Sequence, residues 1–135
     1  MYPNDFGETL VSGLCHRINQ RNYNGGNVYI SEPVKGDGLV HRSNGQHTLF
    51  VRTINFTGNI SFEGTLDLNP DCATYVIVPV VNPIDNTSNV QLNFDHRAGT
   101  GNSHTFYSLT GQFSWIRANI SNIAFGSIDS IKIAF

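Results

Sequence analysis

Residues 59–68 read NISFEGTLDL, and their alternation decides the fold. Ile60, Phe62, Leu66 and Leu68 share one parity, while Ser61, Glu63, Thr65 and Asp67 share the other. A side-chain period of two sends neighbours to opposite faces of a strand, so this stretch is expected to bury one face and wet the other. Glu63 and Asp67 then point at water. Gly64 falls on the inner parity, where a missing side chain marks a bulge or the close approach of another element.

Working outward, HTLFVRTINF (47–56) is expected to be the hairpin partner, joined through a turn at Thr57-Gly58-Asn59. Downstream, TYVIVPVV (74–81) is apolar on both parities and is expected to be covered on both faces. Pro79 argues against a central position for its second half, because proline has no N–H to give to a ladder. NPIDNTSN (82–89) reads as a loop. NVQLNFDH (89–96) alternates again with Val90, Leu92 and Phe94 inward, RAGTGNSH (97–104) is a glycine-bearing loop, and HTFYSL (104–109) is a short strand.

The chain closes on GQFSWIRANISNIAFGSIDSIKIAF, 111–135. Ile116, Ala118 and Ile120 share one parity and Phe113, Trp115 and Arg117 the other, with Ile131, Ile133 and Phe135 aligned further on. This predicts a second antiparallel hairpin turning at SNIAFGS, with Phe135 as a core or interface residue. Residues 1–45 differ: Gly25-Gly26, Gly36 and Gly38 interrupt short strand-like pieces such as NVYIS and GLVHR. They read as an N-terminal arm with edge strands, set before a core at 46–135 in one domain. Apart from one amphipathic turn around 9–18, helical periodicity is absent. Seven or eight short strands separated by turns predict an all-β antiparallel sandwich or jelly roll with a partly extended N-terminal segment.

The 135 residues suffice for one domain with a core that needs no metal or disulfide staple. Charged residues are 13% of the chain and the net charge is −2, so there is no basic footprint to attract nucleic acid. No apolar run reaches the ~18 residues of a membrane span. The first residues lack the basic and apolar regions of a signal peptide, so synthesis in a reducing cytoplasm is expected. Cys15 and Cys72 form neither a disulfide framework nor a zinc pattern and are expected as buried free thiols; whether they pair stays open. Sequons at Asn55, Asn59, Asn86 and Asn119 are by-products of an Asn-, Ser- and Thr-rich chain.

Chemistry is hard to find in the pattern. His16, His41, His47, His96 and His104 fall in no metal motif, although His96 and His104 flank one loop and are either a pair of ligands or two surface residues. Asp67-Leu68-Asn69-Pro70-Asp71 opens like a calcium loop, but Cys72 and Val78 stand where the turn glycine and bidentate glutamate belong; the competing reading is an Asx turn. No nucleophile elbow or phosphate loop occurs. The expectation is a protein without catalytic residues, cofactor or metal. Trp115 and Arg117 on the outer parity are either a contact hot spot, a platform for a sugar ring, or a second layer of core. A sugar-binding role would gather aromatic and Asn/Asp residues in the loops at 67–71, 82–89 and 99–103.

The C-terminal pattern resembles that of small structural proteins of tailed bacteriophages, which share a strand G-x-[FY]-x-[FW]-[IL]-R-[AV]-x-[IV] followed by G-x-I-x-x-I-x-I-x-[FY]. The matching residues are Gly111, Phe113, Trp115, Ile116, Arg117, Ala118 and Ile120, then Gly126, Ile128, Ile131, Ile133 and Phe135. The strand from Ile60 to Pro70 is similar to that group as well, so the resemblance covers about the last two-thirds of the chain. It implies a β-sandwich virion accessory protein: a capsid decoration (cement) protein, or a tail, baseplate or fibre component. It further implies partners among the major capsid or other virion proteins, self-association as a homotrimer, and contacts through Phe113, Trp115, Arg117 and Phe135. A glycan is the remaining candidate partner.

Overall fold

The computed structural model describes residues 8–15, 28–36, 45–95 and 102–134. Among these described residues ten strands run β1 (Glu8–Cys15), β2 (Tyr29–Ile30), β3 (Val34–Lys35), β4 (Gln46–Thr65), β5 (Val76–Val78), β6 (Val80–Val81), β7 (Ser88–Asn89), β8 (Leu92–Asp95), β9 (Asn102–Thr110) and β10 (Trp115–Ala134). The only helical element among the described residues is a single 3-10 turn, Pro70–Cys72. The expected all-β, antiparallel class is observed, and these strands join in one curled, hydrogen-bonded sheet.

The two expected hairpins do not form. HTLFVRTINF and NISFEGTLDL are one 20-residue strand, β4, and the terminal stretch is another, β10. These two strands pair with each other along their whole length, from Trp115 opposite Thr65 to Ala134 opposite Thr48. What reads as turn chemistry is a bulged waist at which both strands bend together. The register shifts between Ser121, Phe125 and Ser127, opposite residues 54–59. Asn55, Asn122 and Gly126 all take positive φ there. Gly126 (φ +74°) is the residue that makes the crossing possible, because a Cβ on it would lie 2.1 Å from the Asn55 carbonyl oxygen. Gly58 serves a close approach rather than a turn, with the Phe56 ring where its side chain would be.

The bulge also resets parity. Leu49, Val51 and Thr53 are buried before it, and Phe56, Ile60 and Phe62 after it. One extra residue exchanges the two faces of a strand, so a core can stay on the same side of a bent sheet only if the buried set changes parity. Below the waist β4 lies between β10 and β9; above it, between β10 and β5 with β8. Strand β10 is flanked on its other side by β1 below and by β2 and β3 above. The two long strands are therefore central throughout, and their residues Ile116, Ala118, Ile120, Ile128, Ile131 and Ile133 are fully buried.

Other expectations change where a strand stops. Leu66 and Leu68 lie beyond the end of β4 and are each 74% exposed, not inward. The TYVIVPVV segment breaks at Pro79 into β5, which pairs with β4, and β6, which pairs with β9 and β7. It is not covered on both faces, since Val76 and Ile77 are exposed and only Val78 and Val80 are buried. Leu92 is inward as expected, Phe94 packs against the core, and Val90, outside any strand, is exposed. Of the loop expected at 82–89, residues 82–87 connect β6 to β7, and Ser88 and Asn89 are the strand β7 itself. Of the expected N-terminal arm, residues 8–15 and 28–36 add strands to β10, Gly45 leads into β4, and the rest lies outside the described residues.

Candidate functional site

Glu63 on β4 and Arg117 on β10 sit directly opposite each other in the ladder, on the face away from the main core. Cross-strand neighbours on one face are within side-chain reach, so opposite charges there find each other as the sheet forms. The Arg117 Nε donates to Glu63 Oε1 at 2.7 Å, and the Asn119 amide donates to Glu63 Oε2 at 3.2 Å. Glu63 is thus not the solvated carboxylate expected from its parity: its side chain is 11% accessible, against 26% for Arg117. The polar face of NISFEGTLDL is covered from Ser61 to Thr65, both of which are buried with Glu63, while Asp67 beyond the strand end is exposed as expected.

The cover comes from the connection between β4 and β5. The Arg117 guanidinium carbon lies 3.7 Å from the centroid of the Tyr75 ring, a cation–π stack. Burial pushes the Tyr75 hydroxyl above its ordinary value, against the opposing pull of the Arg117 charge. That hydroxyl donates to the Pro70 carbonyl at 3.4 Å. The stretch between is held by Asx geometry: Asn69 Oδ1 accepts from the Asp71 amide and Asp67 Oδ2 from the Thr74 amide. This is the Asx-turn reading of the 67–71 motif. Among the described residues no group of three His, Cys, Asp or Glu could hold a metal ion.

The start of β10 then clamps the connection. Ser114 Oγ donates to the Leu66 carbonyl at 3.1 Å, and the Trp115 indole N–H donates to the Leu68 carbonyl at 2.9 Å. Trp115 is half-buried, tied to its own chain by that bond. The Phe113 ring covers Gly64, whose Cβ would stand 2.7 Å from the ring, so of the two readings of this inner-parity glycine, bulge or close approach, the close approach holds. Phe135 lies outside the described residues. The four expected contact residues therefore divide: Phe113 packs on the core face, Trp115 and Arg117 hold the β4–β5 connection, and Phe135 is not placed.

On the other side of Arg117, β2 and β3 are separated by Ser31, Glu32 and Pro33. Ser31 keeps this short interruption on the sheet, since its N–H donates to the Ala118 carbonyl and its hydroxyl accepts the Ala118 N–H. An open cleft of about 350 Å³ lies between this loop and the 70–75 turn, lined by Ile30, Pro33, Pro70, Asp71, Tyr75 and Arg117 together with Ser31 and Glu32. Its charged groups are of both signs and its walls carry proline and tyrosine. Such a surface can exchange hydrogen bonds with a polar ligand or a partner loop.

The remaining titratable residues lie elsewhere. His47 is buried, with Nε2 3.1 Å from the Gly111 carbonyl oxygen. His104 is exposed beside Phe50 and Arg52, and His16, His41 and His96 lie outside the described residues. Cys72 is a free thiol but is exposed rather than buried, because it ends a 3-10 turn that buries nothing. The structure shows strand β1 through Cys15, whose side chain is outside the described set. No described helix is long and apolar enough to cross a membrane.

With this geometry in place, the chain can be set beside known proteins. No protein-family model matches it, and no curated protein matches its sequence. Its fold is similar to the crystal structure of the SPBc2 prophage-derived protein YomS, with a TM-score of 0.60 over 94% of this chain and 88% of that one. Sequence identity is 6%. The likeness is one of fold, carried by backbone topology rather than by shared side chains.

The Glu63–Arg117–Tyr75 arrangement was only partly legible beforehand. Parity placed Glu63 and Arg117 on outer faces of two different strands. Tyr75 and Asn119 carried no signal, since neither the register of β4 against β10 nor the fold-back of the 65–75 connection is written in local spacing.

Proposed function

We propose that this protein is a non-enzymatic structural protein of a tailed-phage virion, a capsid decoration (cement) protein that stabilises the shell by contacting neighbouring coat subunits. The observation that carries the proposal is the fold likeness to a prophage-derived protein, which spans nearly the whole chain. The sequence pattern of β10 points in the same direction independently. The surface supports a contact role: Leu66, Leu68, Val76 and Ile77 are all exposed around the β4–β5 connection. Large apolar side chains gathered in one exposed segment are a mark of protein contact sites. Trp115 and Arg117 brace that segment from below, so their part in assembly is to hold the contact loop in shape. Self-association as a trimer accompanies the role, because shell components act in symmetric copies.

The test is quantitative mass spectrometry of purified particles from the phage carrying this sequence, with native mass spectrometry of the isolated protein. Particles containing the protein at a fixed ratio to the coat subunit, and losing heat resistance when it is deleted, are the expected result. Absence from purified particles refutes the virion role. Presence at a few copies per particle transfers the protein to the tail.

A further inference from the structure

We propose that the cleft between residues 30–33 and 70–75 is a binding site for an uncharged saccharide, with Arg117 and Asp71 as its hydrogen-bonding groups. The starting point is the hydrogen bonding of Arg117. A guanidinium has five N–H donors. One is used, at Nε toward Glu63, and the ring of Tyr75 holds its plane at 3.7 Å. Its terminal nitrogens donate to no residue among those described and are not buried, while the side chain as a whole is 26% accessible. The result is a fixed donor fork, pre-organised from two directions and left with capacity to spare.

Acceptors stand around the same cleft. The Asp71 carboxylate accepts no hydrogen bond among the described residues, its backbone N–H alone being engaged with Asn69. Glu32 adds a second carboxylate to the lining. With Glu63 behind Arg117 and Asp71 across the cleft, one cation faces two carboxylates, a net −1 without Glu32, which has a partner of its own. That balance repels phosphates, nucleic acid and acidic sugars. A vicinal diol satisfies both kinds of group at once, because its oxygens accept from the guanidinium while its hydroxyl hydrogens go to the carboxylates. Ile30, Pro33 and Pro70 supply apolar wall for the C–H face of a pyranose ring. The volume of about 350 Å³ falls at the lower end of the range for small-molecule sites, the size of one or two sugar units. This site stands apart from the structural role, and the two fail separately: particle composition tests one, and the titration below tests the other.

The experiment is a nuclear magnetic resonance titration of the full chain with methyl hexopyranosides and neutral disaccharides, watching the Arg117 Nε–H and the Tyr75 ring. Glucuronate and a simple alkylamine serve as charged controls. Saturable shifts at both reporters with at least one neutral sugar, and weaker ones with glucuronate, are expected. Asp71→Ala removes an exposed carboxylate that no other described residue uses and should weaken binding about tenfold, the worth of one hydrogen bond to a charged group. Arg117→Gln combined with Glu63→Gln keeps a paired amide couple in the ladder and should abolish binding in a chain that still folds. No saturable shift with any neutral sugar overturns the proposal. So does binding that Asp71→Ala leaves unchanged, or a preference for the amine.

Discussion

Replacing Arg117 with Ala should destabilise the protein more than replacing Glu63 with Ala, and the difference can be worked from the ladder. Glu63 is 11% accessible at its side chain and accepts from two donors, Arg117 at 2.7 Å and Asn119 at 3.2 Å. Arg117→Ala leaves a carboxylate in a nearly dry site with one neutral donor. Removing one partner of a buried pair costs about 3–5 kcal/mol. Asn119 remains and the truncated side chain admits water, which points to the lower end, about 3 kcal/mol including the lost stack on Tyr75. Glu63→Ala strands a guanidinium that is 26% accessible and retains the Tyr75 ring, so the expected loss is about 1–2 kcal/mol. Because both single changes break the same contact, the double variant should lose less than their sum, with a coupling of about 1–2 kcal/mol. Urea denaturation of the four proteins, analysed by linear extrapolation, measures all three quantities. Equal losses for the two single variants, or losses that add within about 0.5 kcal/mol, would refute a structural ion pair at the centre of this face.

Other changes probe the waist, the clamp and the buried phenols. Gly126→Ala should cost at least about 2 kcal/mol, since alanine is strained at φ +74° and its Cβ meets a backbone carbonyl that cannot rotate aside; a melting temperature equal to that of the parent would mean the bulge is not needed. Trp115→Phe keeps the aromatic bulk but removes the donor to the Leu68 carbonyl, so about 1 kcal/mol should be lost with the circular dichroism spectrum unchanged. An undiminished stability would show that the clamp at Leu68 does not hold. Burial raises the hydroxyls of Tyr75 and Tyr107 above 10.0, so the folded chain keeps those protons longer than the unfolded one. Their contribution is complete below pH 10.0 and disappears as pH rises through the higher folded values; Tyr75→Phe should flatten part of this alkaline loss in denaturation profiles. A profile unchanged in that variant would place the effect elsewhere.

Alternation alone determined the class of this protein and much of its core. Ile60, Phe62, Ile116, Ala118, Ile120, Ile131 and Ile133 are inward as their parity requires, because a strand with one dry face must put its apolar set there. Local spacing narrowed Gly64 to a bulge or a close approach and 67–71 to a calcium-loop opening or an Asx turn; the Asx turn is closed by near neighbours, whereas Gly64 needed the distant Phe113 ring to decide it. What lay beyond it was partnership. Glycine and asparagine serve a hairpin turn and a bulge equally well, and only the pairing of β4 with β10 over twenty residues decided for the bulge. The same pairing set Glu63 opposite Arg117, turning an apparently wet carboxylate into a buried one. The fate of Leu66, Leu68, Val76 and Ile77 was likewise tertiary, for an apolar side chain is buried only where another element arrives to cover it. Register and cover are long-range quantities, and they alone built the cleft around Arg117.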